Sequence, residues 1–166
     1  MDAAAEFAPE TPPADIGRCA KFHDSNADTS NISFRRLFPT TSSGIVTVQF
    51  DMRLKQTSAA FFVRVSNNTT FTNLSSSACN LIFEGNTVWL PGGGGATEIS
   101  YLHQWSTPAY TMTGATYAAD TWHTVQIVLN VGAKTWSVNF GPKGGTLDPI
   151  LVDAEWVWKG GTDPHD

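Results

Sequence analysis

The chain has 166 residues, 41% hydrophobic and only 15% charged, with a formal net charge of −5. That length fits one domain that buries about 70% of the surface its unfolded form exposes, without a metal or disulfides to fold it. Ten Lys and Arg with no basic run give no electrostatic footprint for a phosphate backbone, which argues against nucleic acid, and no apolar run reaches the about eighteen residues of a membrane span.

From the N-terminus, residues 1–15 read as a linker or cloning remnant. Met1 to Pro13 holds three successive Ala, Glu-Phe and several Pro, and lacks the basic and apolar regions of a signal peptide. Residues 16–160 read as a single domain and 161–166 as a tail. Cys19 and Cys79 have no Cys-x-x-Cys spacing. They are read either as two buried thiols or as one disulfide, which would add about 4 kcal/mol by loop-closure entropy and imply an oxidising compartment. Asp24, Asn26 and Asp28 match the first three ligand positions of a calcium loop, where alternating oxygens converge on a hard cation. The sixth position lacks Gly and Arg35 stands where the twelfth needs Glu, so an EF-hand is rejected and an Asx-rich turn is favoured.

A first short strand is expected at Ile32 to Phe38. From Ile45 the pattern is cleanest: Val46, Val48, Phe50, Met52 and Leu54 alternate with Thr47, Gln49, Asp51, Arg53 and Lys55. Period two gives one core face and one face for solvent or a ligand. Ala59 to Val65 repeats the arrangement with Arg64 on its polar side, and Cys79 to Phe83 and Thr87 to Leu90 flank a compact turn. After the Gly-rich break at Pro91 to Gly95 come Glu98 to His103 and Ala109 to Met112. Thr121 to Gly141 then reads as a hairpin, with Val125, Ile127, Leu129, Trp136, Val138 and Phe140 on one face across a Gly-containing turn. The last strand, near Ile150 to Trp158, places Ile150, Val152, Ala154, Trp156 and Trp158 on one parity. With about ten short strands and no sustained 3.6-residue pattern, the expectation is an all-β, two-sheet antiparallel sandwich with very little helix.

Two stretches add a resemblance. The Gly44 to Leu54 strand is similar to a GxVTVxFDxRL pattern. The Trp122-His123-x-Val125 start, alternating strand, Gly turn and Asn139-Phe140-Gly141 ending resemble the laminin-G-like and concanavalin A-like jelly-roll superfamily. From about Asn31 to Trp158 this resemblance implies a jelly-roll sandwich, a sheet whose polar face binds saccharides, and often a structural calcium; in this chain the candidate ligands by spacing are Asp24, Asn26 and Asp28, with a different loop, as in related jelly rolls, as the alternative.

Saccharide sites on such sandwiches use exposed aromatic rings that stack on sugars, with polar groups that hydrogen-bond the hydroxyls. Trp122, Trp136, Trp156 and Trp158 are read as packing. Trp89, Tyr101, Trp105 and Tyr110 are the candidate rings, and Tyr101, His103 and Trp105 share a face if extended. Asp51 and Arg53, with Gln49 beside them and Arg64 on the following strand, are the candidate polar floor. No Glu-x-Asp-x-x-Glu, Gly-x-Ser-x-Gly or His-Glu-x-x-His run is present, and His123 is read as a satisfied histidine at the core edge. The expectation is a secreted, non-catalytic carbohydrate-binding module from a larger extracellular protein. The alternatives are a small uronate-specific polysaccharide lyase assembled from Tyr110, His103, Gln104 and Arg53, and a protein-binding adhesion module.

Overall fold

In a computed structural model the described residues are 39, 41–55, 60–66, 77–83, 97–104 and 109–156. Two compact units are distinguished, Met1–Phe38 and Pro39–Asp166, and every described residue lies in the second. Among the described residues there is no helix, and so none long and apolar enough to cross a membrane. Eight strands follow in chain order: β1 (Ile45–Arg53), β2 (Phe61–Ser66), β3 (Ser77–Phe83), β4 (Glu98–Gln104), β5 (Ala109–Thr116), β6 (Trp122–Asn130), β7 (Thr135–Pro142) and β8 (Asp148–Glu155).

They form two four-stranded antiparallel sheets, sheet A in the order β1-β6-β7-β8 and sheet B in the order β2-β3-β4-β5. The chain therefore leaves sheet A after β1, builds sheet B as a run of hairpins, and returns to complete sheet A. This is the two-sheet sandwich expected from the alternating pattern. The expected strands at Ile32 to Phe38 and Thr87 to Leu90 lie outside the described residues.

The facing sides of the sheets make the core. Val125, Ile127 and Val138 are 0% exposed and Trp136 is 1% exposed on sheet A, against Cys79, Leu81, Phe83 and Ile99 at 0% on sheet B. Aromatic rings bridge the layers: Phe83 lies 5.9 Å from Phe140 and Tyr101 meets Trp136 edge-on at 5.9 Å, distances at which such pairs add to the area they bury. The open ends of β7 and β8 are clasped by two indoles. Trp136 Nε1 donates to the Glu155 carbonyl and Trp156 Nε1 to the Thr135 carbonyl, both at 3.1 Å, so neither buried donor is left unsatisfied.

The β6–β7 connection is a short turn, but Gly132 is not its strained residue. Lys134 takes the left-handed conformation (φ 54°) while Asn130 Oδ1 accepts from Ala133 N–H at 3.0 Å, an Asx-type closure.

Two departures from simple alternation stand out. In β8 the expected core residue Val152 is 67% exposed. Trp136 pairs with Ala154 but Val138 with Leu151, so β8 carries an extra residue there, with Asp153 at φ 48°, and a second shift follows at Asn139. Each bulge flips the side-chain sequence by one face. In β3 both faces are covered: Asn80 is 0% and Ile82 2% exposed although they point away from sheet A, as do Ser100 and Leu102 of β4, both 0% exposed. The outward side of sheet B is thus not a wet face at its centre.

Cys79 sits among these core residues as a free, fully buried thiol rather than half of a disulfide. Burial pushes its pKa up to about 12, which keeps it in the unreactive thiol form.

Candidate functional site

The best-organised polar surface among the described residues is the outward face of sheet A. Its residues are those that alternate with the core in β1, β6 and β7, and the ladder register brings them into rows. Gln49 of β1 stands opposite Gln126 of β6, which stands opposite Asn139 of β7. The three side-chain amides form a continuous chain: Asn139 Nδ2 donates to Gln126 Oε1 at 2.8 Å, and Gln126 Nε2 donates to Gln49 Oε1 at 2.9 Å. Each amide fixes the orientation of the next. What remains is a pair of open ends, the Gln49 amide hydrogens and the Asn139 carbonyl oxygen.

The neighbouring row is Asp51, Thr124 and Gly141. Thr124, only 6% exposed, donates its hydroxyl to Asp51 Oδ1 at 2.6 Å, while Lys143 Nζ reaches Asp51 Oδ2 at 3.2 Å. Lys143 is delivered by a tight turn. Gly145 N–H donates to the Pro142 carbonyl at 2.9 Å with Gly144 at φ 75°, the left-handed conformation that position i+2 of a type II turn demands. Gly141 completes the arrangement because it has no side chain: a Cβ there would lie 2.1 Å from the Thr146 carbonyl oxygen. The turn can fold down beside the sheet only over a glycine.

A third row holds Arg53 opposite Trp122. Arg53 is anchored by Asp120, whose carboxylate oxygen Oδ1 accepts from Nε at 2.9 Å and lies 2.8 Å from Nη2. Asp120 itself adopts φ 57°, a conformation that Asp tolerates in turns. The indole of Trp122 is half-buried on this same face, and its Nε1 is buried without a hydrogen-bond partner. The charged groups beside the amide chain are matched in pairs, Asp51 with Lys143 and Arg53 with Asp120.

The residues singled out from the sequence do not converge on one surface. Asp51 and Arg53 lie on the outward face of sheet A. Tyr101 and Tyr110 belong to sheet B, and Tyr101 turns inward, opposite Leu81 and against Trp136. Tyr110 stands opposite Leu102 on the outward side of sheet B. Arg64, expected beside Asp51, is on β2 and so in the other sheet, because the chain changes layer between β1 and β2. It is opposite Asn80, with Nε 3.4 Å from Asn80 Oδ1 and the guanidinium 4.6 Å above the Phe62 ring. Burial lowers its pKa from the usual value and nearby Tyr110 opposes that shift. His103 is in β4, but its side chain lies outside the described residues, as do Trp89, Trp105 and the proposed calcium ligands Asp24, Asn26 and Asp28. Among the described residues no group of three or more His, Cys, Asp or Glu could hold a metal ion.

His123 faces the core and is satisfied there. It stacks on Phe140 at 5.0 Å, Nδ1 lies 2.9 Å from the Thr121 carbonyl, and Nε2 accepts from Ala118 N–H at 3.4 Å. Burial holds its pKa below the usual value, against the opposing pull of the Thr121 carbonyl.

Sequence reasoning singled out none of Asp120, Trp122, Thr124, Gln126, Asn139 and Lys143 as site residues. Parity alone places Trp122 with Thr124 and Gln126 and opposite to Val125, so its position was readable. That Gln49, Gln126 and Asn139 fall in one row depends on register between distant strands.

Compared with known proteins, the chain matches no family model, and no curated protein or solved structure is significantly similar to it.

Proposed function

We propose that this protein is a non-catalytic carbohydrate-binding module that docks a glycan on the outward face of sheet A. The observation that carries the reading is the fixed amide chain Gln49–Gln126–Asn139, flanked by Asp51, Thr124 and Lys143 and bordered by Trp122. Sugar hydroxyls both donate and accept, so a row with a donor at one end and an acceptor at the other is a suitable partner. Side chains already locked by each other lose little freedom on binding. An indole at the border offers an apolar surface for the CH face of a sugar ring. Since the charges beside the amide chain are matched in pairs, Asp51 with Lys143 and Arg53 with Asp120, the reading favours a neutral glycan over a uronate. The laminin-G-like assignment of the sandwich, an extracellular location and membership of a larger protein belong to the same proposal, supported by the alternating-strand resemblance.

Affinity electrophoresis through gels containing neutral polysaccharides tests it. Gln126→Ala removes both bonds of the amide chain, about 1 kcal/mol each, and is expected to weaken retardation at least about tenfold while the protein still unfolds cooperatively. A protein unretarded by every neutral polysaccharide in a broad panel, or a Gln126→Ala variant retarded like the parent, would overturn the reading.

A further inference from the structure

Sheet A ends in two unlike edges. At the β8 edge stand Pro149, two register shifts and Asp153 in the left-handed conformation, the devices by which natural sheets block further pairing. β1 has none of them. It pairs with β6 over nine consecutive residues without a shift and contains neither Pro nor Gly.

Exposure marks β1 as an open edge. Its outward residues Thr47, Gln49 and Asp51 are exposed, whereas their neighbours Gln126, Val128, Ser137 and Asn139 are half-buried, and its core-facing Val46, Val48 and Phe50 are only half-buried. Among the described residues no strand lies on the other side of β1. The direction of its backbone groups follows from two bonds. Val131 N–H donates to the Gly44 carbonyl, and on the far side of β6 Lys143 N–H donates to the Trp122 carbonyl, each at 3.0 Å. Because hydrogen-bonded pairs alternate along an antiparallel ladder, Gly44, Val46, Val48, Phe50 and Met52 turn their N–H and C=O groups toward β6. Ile45, Thr47, Gln49, Asp51 and Arg53 turn theirs to the free edge. The Gln49 amide points the same way: its oxygen faces Gln126, which leaves its two hydrogens directed outward.

We propose that a second copy of this chain pairs with β1, antiparallel, about a two-fold axis between the two Phe50 residues. In that register Gln49 faces Asp51 of the second copy and Thr47 faces Arg53, and the outward-turned backbone groups of these four positions make about eight hydrogen bonds. Each Gln49 amide donates to the Asp51 carboxylate opposite, a charge-assisted bond made twice, and the half-buried Phe50 rings cover each other on the core side. Three neighbouring registers are worse. An axis at Gln49 sets two amide donors head to head, one at Asp51 opposes two carboxylates, and one at Val48 leaves Asp51 facing Ile45. The pair would extend sheet A, and its outward polar face, across both copies.

Sedimentation velocity on the full chain over a wide concentration range tests this. Gln49→Glu keeps an oxygen for Gln126 Nε2 but presents a carboxylate to Asp51 of the second copy. The parent is expected to pass from monomer to dimer as concentration rises. Gln49→Glu should raise the dimer dissociation constant at least about tenfold with an unchanged near-ultraviolet dichroism spectrum, and Gln49→Glu combined with Asp51→Asn, which exchanges donor and acceptor, should restore the dimer. A parent that stays monomeric throughout, a Gln49→Glu variant that dimerises like the parent, or a double variant that remains as weak as Gln49→Glu alone would each overturn the proposal.

Discussion

Replacing Trp136 with alanine is expected to lower stability by about 3–5 kcal/mol, the range for deleting a buried aromatic side chain. Against a total of about 5–15 kcal/mol for a natural domain, that leaves the sandwich close to unfolding. The ring is 1% exposed and meets Tyr101 of sheet B edge-on, so its removal opens a cavity between the layers instead of a dimple at the surface. It also strips the Glu155 carbonyl of its indole donor and so loosens β8 at its C-terminal end. Trp136→Phe keeps most of the volume and loses the hydrogen bond, and its cost should be about half as large. Urea unfolding followed by tryptophan fluorescence and far-ultraviolet dichroism checks both: the midpoints should fall in the order parent, Phe, Ala, with the slope unchanged.

Gly141→Ala is expected to be the next most damaging change, although it adds a single methyl group. The new Cβ would stand 2.1 Å from the Thr146 oxygen, 3.1 Å from the Thr146 carbonyl carbon and 3.3 Å from Leu147 Cα. All three are backbone atoms that no rotamer change can move. The Pro142 to Leu147 turn must lift, taking Lys143 away from Asp51, at a cost of about 3 kcal/mol, the upper range for overpacking. Gly144→Ala is the control. Its Cβ meets open space, but φ 75° disfavours any side chain, so about 1–2 kcal/mol is expected. Thermal or urea unfolding of the two variants side by side separates a steric clash from a conformational penalty. Equal losses would show that Thr146 does not hold its place over Gly141.

The alternation of β1, β6 and β7 was legible because those strands pair without shifts through the stretch that forms the core, so that a period of two in sequence is a period of two in space. In β8 it was not. Two bulges there reverse the faces partway along, and nothing in Ile150 to Ala154 distinguishes a bulge from a regular strand. Tyr101 shows a different limit. Its strand carries apolar residues on both parities, Ile99 with Tyr101 and Leu102 on the other, and both sides of the strand's centre are buried, so alternation could not say which face was inward. For Arg64 the parity was right and the sheet was wrong, because alternation assigns a face but carries no information on which layer a strand joins. The candidate site lies between these cases. Asp51, Gln49 and Arg53 could be read as a polar row along one strand. The amide chain that links Gln49 to Gln126 and Asn139 comes from register between strands 77 and 13 residues apart in sequence, a tertiary property.

The polar face of sheet A is the centre of the account, and a two-dimensional NMR titration with an oligosaccharide cut from a retained neutral polysaccharide tests it most directly. The side-chain amide signals of Gln49, Gln126 and Asn139 and the indole signal of Trp122 should shift together and saturate at one ligand concentration. Saturable shifts confined to the opposite sheet, around Arg64 and Tyr110, with the sheet A amides unmoved, would contradict it.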